Sequence, residues 1–373
     1  VTTTIGRNGD LISGMHLEFT LTGGTESGAT SYINWTNNTG HAFLKYCDIE
    51  IGGNKIDEQY GHWLDVWNEL SDHENKEHIL LNKHTAKNAY LKSGSKTKLN
   101  DLKCYVPLKF WFCRNTGLAL PLIALQYHEV RLNFTFRGLM GLVNNDGTSN
   151  VSLSNVPLVD LWVDYIYLDT EERRRFAESA HEYLIEQLQY SSMAFTSKVK
   201  VNFNHPVKEL VWVMHKSISN TEGDASRNTV DAVLNKQGTI ANKNDYFNYM
   251  SSNNSSNFDE YIAGQKSQEH FTEMHLTLNG QRRFDPKKAS YFRTIQPLSA
   301  GHKVPSKHIY VYSFCLNPES HQPSGTCNFS RIDTSYLVFG NANTSGADRL
   351  RLYGVNYNIL RVMGGMAGLA YSN

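Results

Sequence analysis

Apolar and polar side chains alternate along most of this chain, and a period of two is typical of strands that bury one face. The alternation is clearest over residues 15–21, 47–51, 132–136, 161–167, 211–213, 276–278, 309–311 and 350–352. Turn-forming pairs such as Gly52-Gly53 and Asn279-Gly280 separate these runs. Because the strands follow one another without regularly interposed helices, the pattern predicts an all-β protein built from sandwiches or barrels.

One helix is predicted within residues 59–80. Apolar side chains follow the i, i+3, i+4, i+7 spacing there, at Trp63, Val66, Trp67 and Leu70. The aromatic stripe is consistent with two interpretations, a buried core face or a partner-binding site, and the sequence leaves both open.

A second helix is predicted to begin at Asp169. The aspartate suits the N-cap position, and Glu172 stands where a capping box needs its acidic residue. This segment lies near the middle of the chain, so we expect it to connect two domains.

The chain repeats part of its own pattern. Residues 110–136 resemble residues 312–338 at an offset of 202, with Phe112 and Cys113 falling on Phe314 and Cys315. Two further echoes occur in the same order, between 49–57 and 276–285 and between 8–12 and 204–210. Three echoes in one order predict a tandem duplication of a strand-rich domain.

Composition narrows the functional classes. Lys and Arg together number 36, as do Asp and Glu, so the formal net charge is zero. A nucleic-acid-binding surface needs a positive footprint, whereas neutrality favours self-association. The five cysteines form no CxxC pair, which favours free buried thiols. The longest apolar run, residues 117–125, is too short to span a bilayer.

No catalytic motif stands out, so no catalytic residue, metal or cofactor is predicted. The nearest approach to a metal-ligand cluster is His270, Glu273 and His275. On an alternating strand the two histidines point to opposite faces, which argues against a shared metal. His128-Glu129 at a strand start is expected to lock a loop by hydrogen bonding.

Asn-x-Ser/Thr sequons are numerous. The candidate glycosylation sites in turn-like stretches are Asn37, Asn150, Asn253 and Asn343. Asn-rich loops also produce sequons by chance, so the sequence leaves occupancy open. Two long loops, 82–103 with its lysines and 216–270 with its Asn and Ser, are expected at the surface.

Several motifs resemble one family, the major capsid proteins of nucleocytoplasmic large double-stranded DNA viruses, such as iridoviruses and phycodnaviruses. NGDLI (8–12), IEIGGNKID (49–57) and GLALPLIALQYHEV (117–130) resemble its first half. WVDYIYLDTEERRRFA (162–177) and HEYLIEQLQ (181–189) resemble its connector. HQPSGTCNFSRID (321–333) and VNYNILRVMGGMAGLAYSN (355–373) resemble its end.

This resemblance implies a double jelly roll: two tandem eight-stranded β-sandwiches, with a few short helices in loops and connector. The expected division is a first jelly roll over 1–168, a helical connector over 169–185 and a second jelly roll over 186–373. Three chains would form a pseudo-hexameric homotrimer that tiles an icosahedral shell assembled in the host cytoplasm. Expected partners are other copies of the chain, neighbouring capsomers and minor capsid and penton proteins, with host contact by outer loops and no direct nucleic acid.

Two alternatives come from other classes. A β-sandwich carbohydrate-binding or host-attachment protein would stack sugars on Trp63, Trp67 and Trp111, and it requires those side chains to be exposed. A jelly-roll metalloenzyme would carry an HxH pair, which this sequence lacks. The capsid interpretation predicts no enzymatic activity.

Overall fold

The computed structural model describes residues 1–26, 33–74, 76–83, 98–145, 151–152, 157–215, 246–247, 249, 269–344, 347 and 349–371. Strands dominate these ranges, and the helices are short, as predicted for an all-β fold. Most of the long loops 82–103 and 216–270 lies outside the described residues. The candidate sites Asn150 and Asn253 lie outside them as well.

All the described strands of the first half lie before residue 167. Its elements are β1 (Thr2–Thr4), β2 (Leu11–Leu21), β3 (Thr25–Glu26), β4 (Ile33–Trp35), α1 (Thr39–Phe43), β5 (Leu44–Ile51), β6 (Asn54–Tyr60), α2 (Gly61–Ser71), β7 (Leu102–Pro107), α3 (Trp111–Arg114), β8 (Leu120–Pro121), β9 (Val130–Phe136), β10 (Val143–Asn145), β11 (Val151–Ser152) and β12 (Val159–Ile166). Short 3₁₀ turns occur at Lys76–His78, Thr116–Leu118, Leu122–Ala124 and Leu139–Leu142.

The second half follows a connecting helix. Its elements are α4 (Thr170–Glu178), β13 (His181–Ala194), β14 (Lys198–Lys200), β15 (Pro206–His215), β16 (Glu273–Leu278), β17 (Gln281–Arg282), β18 (Lys287–Lys288), a π-helical turn (Tyr291–Ile295), α5 (Gln296–Ser299), β19 (Ile309–Ser313), β20 (Cys327–Asn328), a 3₁₀ turn (Phe329–Arg331), β21 (Ser335–Gly340), β22 (Arg349–Met363) and β23 (Met366–Leu369).

Each half is a sandwich of two antiparallel sheets, and the strand order is the same in both. The first half pairs β1-β9-β5-β6 in one sheet and β12-β2-β7 in the other, with β8 added to β2. The second half pairs β14-β21-β16-β17 and β22-β15-β19, with β20 added to β15. Eight strands of the first half therefore have counterparts in the second, as the duplicated pattern predicted, and β13 extends the second sheet at its β22 edge.

Corresponding hairpins confirm the duplication at single residues. The β5–β6 turn holds Gly52 and Gly53 at φ +59° and +82°, and the β16–β17 turn holds Asn279 and Gly280 at +48° and +80°. Two successive left-handed residues match the right-handed twist of the flanking strands. The echo between 49–57 and 276–285 is therefore one hairpin present twice.

The offset of 202 is wrong by three residues in the last echoed strand. Leu132 pairs with Ile49, and Leu337 pairs with Leu276; Ile49 and Leu276 each lie three positions before the first residue of their turn. Equivalent residues are thus 205 positions apart, from 132 to 337. The loops before β9 and β21 differ in length, and a fixed offset cannot follow such a difference.

The predicted helices are both present, with shorter bounds for the first. Helix α2 ends at Ser71 and not near residue 80, because Asp72 leaves helical geometry and accepts hydrogen bonds from the backbone of Lys76 and Glu77. Helix α4 begins after Asp169, whose backbone N–H donates to Glu172 Oε2 at 3.4 Å. Strand β13 then starts at His181, so the last residues of the expected connector are already part of a strand.

Candidate assembly surfaces

The sheet β22-β15-β19 is buried on both faces. Leu210, Trp212 and Met214 point into the core of the second sandwich. Val211 and Val213, which alternate with them, belong to the same hydrophobic cluster as the first sandwich. The outer face of this sheet is therefore the contact between the two halves.

Helix α2 of the first half covers that face. The ring of Trp63 packs 5.1 Å from that of Tyr353, and the ring of Trp67 lies 6.0 Å from His302. The predicted aromatic stripe is thus core, located where the two halves meet.

A buried ion network joins α2 to the segment before β19. Lys307 Nζ donates to both carboxylate oxygens of Asp65 at 2.8 Å. One turn further, Glu69 binds Lys83 at 2.6 Å and accepts from Ser306 at 3.0 Å. Burial by itself would raise the pKa of Glu69, but the charges of Lys307 and Lys83 lower it to about 2.

Two further ionic clusters flank the same interface. Glu186 of β13 binds Arg114 of the first half at 2.6 Å and also pairs with the fully buried Lys208. His302 binds Glu209 through Nε2 at 2.9 Å and Glu319 through Nδ1 at 2.6 Å. Burial disfavours the charged imidazole, yet these two carboxylates raise its pKa to about 9.

Four other buried histidines are not held by a carboxylate on each ring nitrogen as His302 is, and the nearest carboxylate contact among them is 3.8 Å, between His308 Nε2 and Glu269. The rings of His62 and His215 stack 6.1 Å apart, and those of His270 and His308 lie 6.2 Å apart. Burial lowers the pKa of His62 and His215 well below the ordinary value, and Arg351 lowers both further. It lowers that of His270 to about 4 and, with Arg293, that of His308 to about 3.

The edges of the two sandwiches meet at β6 and β13. The backbone N–H of Leu188 donates to Asp57 Oδ1 at 3.0 Å, and the Gln187 side chain donates to the carbonyl of Ile56. Side chains thus satisfy strand edges that would otherwise be open. Burial raises the pKa of Asp57 to about 7.

The outer face of β12-β2-β7 is exposed, unlike that of β22-β15-β19. His16 stacks on Trp162 at 6.5 Å and packs 6.4 Å from Tyr105. A groove with a volume of about 730 Å³ runs from this face, where Gly14, His16 and Tyr105 line it, to the joint between the halves, where Trp67 of α2 and Glu319 of the second half line it.

Large apolar side chains are also exposed elsewhere, and two such regions bear on assembly. The helical segment Tyr291–Ser299, made of the π-helical turn and α5, exposes Ile295 and Leu298. The β22–β23 hairpin exposes Met363 and Met366 beside Tyr127, whose N–H donates to the carbonyl of Gly365 at 2.9 Å.

Comparison with protein families covers nearly the whole chain. The model described as "Major capsid protein N-terminus" matches residues 1–169. The model described as "Large eukaryotic DNA virus major capsid protein" matches residues 172–368. This chain belongs to the family of major capsid proteins of large eukaryotic DNA viruses.

Individual members of this capsid family align from end to end. The major capsid protein of Pyramimonas orientalis virus is 40% identical, over 100% of this chain and 86% of that protein. The major capsid protein of Phaeocystis pouchetii virus is 36% identical, over 100% of this chain and 89% of that protein.

Solved capsid structures share the fold. The "PBCV-1 virus capsid, quasi-atomic model" superposes with a TM-score of 0.78 at 33% identity, covering 100% of this chain and 92% of that one. The Faustovirus major capsid protein gives a TM-score of 0.74 at 12% identity, covering 97% of this chain and 87% of that one. The second match supports the fold alone. The double jelly roll implied by the sequence motifs is confirmed.

The carbohydrate-binding alternative is wrong for the residues that motivated it. Trp63, Trp67 and Trp111 are all buried in the core of this capsid protein, so they cannot stack on a sugar. Packing between the two halves explains their burial. The tryptophan that is exposed is instead Trp162, a large side chain on the outward side of an alternating strand.

The remaining candidate residues are spread over the molecule. Asn37 lies half-buried in a turn, and the half-buried Asn343 donates its backbone N–H to the carbonyl of His270 at 2.7 Å. His270 is buried, whereas the side chain of His275 is partly exposed. His128 Nδ1 accepts from the backbone of Ala367 at 3.1 Å, which ties its loop to the C-terminal hairpin.

Further features of the capsid chain concern metals, membranes and thiols. Within the described ranges, no group of three or more His, Cys, Asp or Glu side chains is arranged to hold a metal ion. None of the described helices has the length and apolar character that crossing a membrane requires. All five cysteines are free thiols, of which Cys113 and Cys327 are half-buried and the others buried.

Proposed function

We propose that this capsid protein forms a homotrimer whose six similar lobes make a pseudo-hexameric capsomer, and that these capsomers tile an icosahedral virion shell. The observation that carries the proposal is the duplicated sandwich. Two lobes with the same strand order occur in one chain, so three chains present six similar lobes. A six-sided unit packs a flat facet without gaps.

The half–half contact supports a rigid building block. Apolar packing around α2 and the buried Lys307–Asp65 pair join the two lobes through one continuous hydrophobic cluster. The proposed division remains 1–168, 169–185 and 186–373, with α4 as the helical part of the connector.

The proposed partners are two further copies of the chain, neighbouring capsomers, and minor capsid and penton proteins. The proposed location is the outer shell of a virion assembled in the host cytoplasm. Membership in a structural protein family supports a role without enzymatic activity. Outer loops are the proposed region of host contact.

Asn37, Asn150, Asn253 and Asn343 are the proposed glycosylation sites. Asn37 lies in a turn, which is the local structure in which a glycan is most easily accommodated. Mass spectrometry of glycopeptides from virion-derived protein tests each site. The proposal predicts a mass increment at one or more of the four, and unmodified peptides at all of them would contradict it.

Light scattering coupled to size-exclusion chromatography tests the oligomer. At micromolar concentration the proposal predicts a single species with three times the chain mass. A stable monomer under the same conditions would contradict the proposed capsomer. Inclusion of 1 M NaCl separates apolar from surface electrostatic association, because such salt screens exposed charges within about 3 Å.

A further inference from the structure

We propose that the outer face of β12-β2-β7 docks onto the helical segment Tyr291–Ser299 of a second copy of this chain. This contact would repeat, between chains, the contact that β22-β15-β19 makes with α2 inside one chain. The inference rests on the proposed trimer and names the surfaces that hold it together.

Matching β-bulges fix the equivalence of the two sheets. In β2 the pairing with β12 skips Ser13, between Ile12 and Gly14. In β15 the pairing with β22 skips Lys208, between Val207 and Glu209. Aligning the two bulges makes each residue of β2 equivalent to the residue 195 positions later in β15, since Ser13 corresponds to Lys208.

One cross-strand row then has a counterpart in each half. His16 corresponds to Val211 in this alignment. Trp162 is the partner of His16, and Tyr353 is the partner of Val211. On the other side, Pro107 pairs with His16 and Val311 pairs with Val211.

The equivalent aromatic residues differ sharply in exposure. Tyr353 is 0% exposed because Trp63 of α2 packs against it, whereas Trp162 is 54% exposed. The groove over His16 and Gly14 occupies the side of the sheet that α2 covers in the other half. The first sandwich therefore presents a sheet face whose counterpart is already docked.

The chemistry of the two faces fits this difference. The middle of the docked face is aliphatic, with Val211, Val213 and Val311 all 0% exposed, and the buried polar residues Glu209 and His215 lie towards its ends. At the positions equivalent to the first two, the open face carries His16 and Glu18. A surface that faces water before assembly and a partner afterwards is expected to mix aromatic and polar groups.

The second half offers the matching counterpart of α2. Tyr60 pairs with Tyr46 at the end of β6, and Lys288 pairs with Glu273 at the end of β18. Counting onward from these strand ends, Trp63 and Trp67 correspond to Tyr291 and Ile295.

Both α2 tryptophans are buried, but the second-half segment is open. Ile295 is 54% exposed and Leu298, further along the same segment, is 68% exposed. Charge is also complementary, because Asp160 and Asp164 are exposed beside Trp162 while Lys287 and Lys288 are exposed just before the helical segment.

The contact joins two different surfaces, so it is heterologous. Such a contact forms a closed ring when its rotation divides a full turn. Each chain carries one open sheet face and one open helical segment, so every copy in a ring satisfies both. Alternate contacts around the six lobes would then be intrachain and interchain versions of one packing mode.

Trp162→Glu and Leu298→Glu test the two surfaces in the full chain. Each is expected to weaken trimer formation by about 30-fold or more, the effect of losing one interface hot spot. Met363→Glu is the matched control, since Met363 is 62% exposed but lies on the C-terminal hairpin. It should remain trimeric by light scattering. When compared as monomers, all three variants should unfold with the same thermal midpoint as the wild type.

The outcomes separate this inference from the proposed function. A trimeric wild type whose Trp162→Glu and Leu298→Glu variants stay fully trimeric would overturn the named surfaces and leave the trimer intact. Equal loss in Met363→Glu would also overturn them, because the effect would not be specific. A monomeric wild type would refute the trimer itself.

Cross-linking tests the pairing directly. A Trp162→Cys, Leu298→Cys double variant treated with a flexible bismaleimide should yield covalent trimers on a denaturing gel, whereas either single variant should not. The single variants control for the two half-buried native thiols. If the double variant forms trimers but yields no interchain cross-link, the result would contradict the proposed contact.

Discussion

Lys307 forms a buried ion pair between the two halves. Its ammonium donates to both oxygens of the fully buried Asp65. We expect Lys307→Met to lower the free energy of unfolding by about 3–5 kcal/mol, because it leaves a buried carboxylate without its cation. Urea denaturation measures this change.

Lys55→Met is the matched control, since Lys55 pairs with Glu58 at an exposed site. A change of about 0.5 kcal/mol or less is expected there. If Lys307→Met and Lys55→Met lowered the free energy of unfolding equally, the buried Lys307–Asp65 pair would not stabilise the contact between the two halves as described.

Buried neutral histidines make the chain sensitive to acid. Burial and Arg293 lower the pKa of His308 to about 3, while a histidine in the unfolded chain titrates near 6.5. Below about pH 6.5 the unfolded state takes up a proton that the folded state refuses, so stability falls as pH falls. Glu269 does not reverse this, because Arg293 already binds it at 2.7 Å.

His308→Phe tests this directly. Between pH 7.5 and pH 5 the wild type should lose about 2 kcal/mol more unfolding free energy than the variant. His302 acts with the opposite sign, since its pKa is raised from about 6.5 to about 9: the stability it gives is complete below about pH 6.5 and is lost as pH rises to about 9. A variant with the same pH profile as the wild type would contradict the role given to His308.

At the scale of elements, the two hairpins provide a test of the duplication. Gly53 and Gly280 both adopt positive φ, and no atom lies within 4 Å of a Cβ added to either. Alanine at each site should therefore cost only the left-handed backbone penalty, about 1–2 kcal/mol, and by the same amount in both.

Gly138→Ala is the control for the hairpin glycines. Gly138 is likewise open around its Cα, but its φ is −64°. This change should be neutral or slightly stabilising, because it restricts the unfolded chain. Thermal unfolding compares all three, and unequal costs for Gly53→Ala and Gly280→Ala would count against equivalent turns.

Local signals in the sequence predicted helices and hairpin turns. They could not predict contacts between residues that are far apart in the chain. The turn-forming pairs Gly52-Gly53 and Asn279-Gly280 indicated both hairpins, and Asp169 with Glu172 indicated the start of α4. The end of α2 was missed because Asp72 stops it through hydrogen bonds to residues beyond the helix. The spacing of Trp63 and Trp67 indicated an apolar helix face, either core or partner site, but nothing local showed that Tyr353, almost 300 residues away, would cover Trp63.

The assembly surfaces were likewise only partly predictable from the sequence. Repetition in the chain pointed to two similar lobes, since duplicated strands keep their alternation. The open face around Trp162 became visible only when bulges at Ser13 and Lys208 aligned the sheets, and a bulge leaves no reliable mark in one sequence. The periodicity of the sequence thus predicts the strands and the two similar lobes. The contacts between surfaces depend on strand register, which one sequence does not show.

At the scale of the whole molecule, the two lobes are joined by a continuous core and buried ion pairs, and both are expected to retain their relative position during assembly. Electron microscopy of the purified particle tests the central proposal most directly. The predicted result is class averages with three-fold symmetry and six lobes of similar size around a ring. Averages that show isolated two-lobed particles, or rings with a different number of lobes, would contradict it.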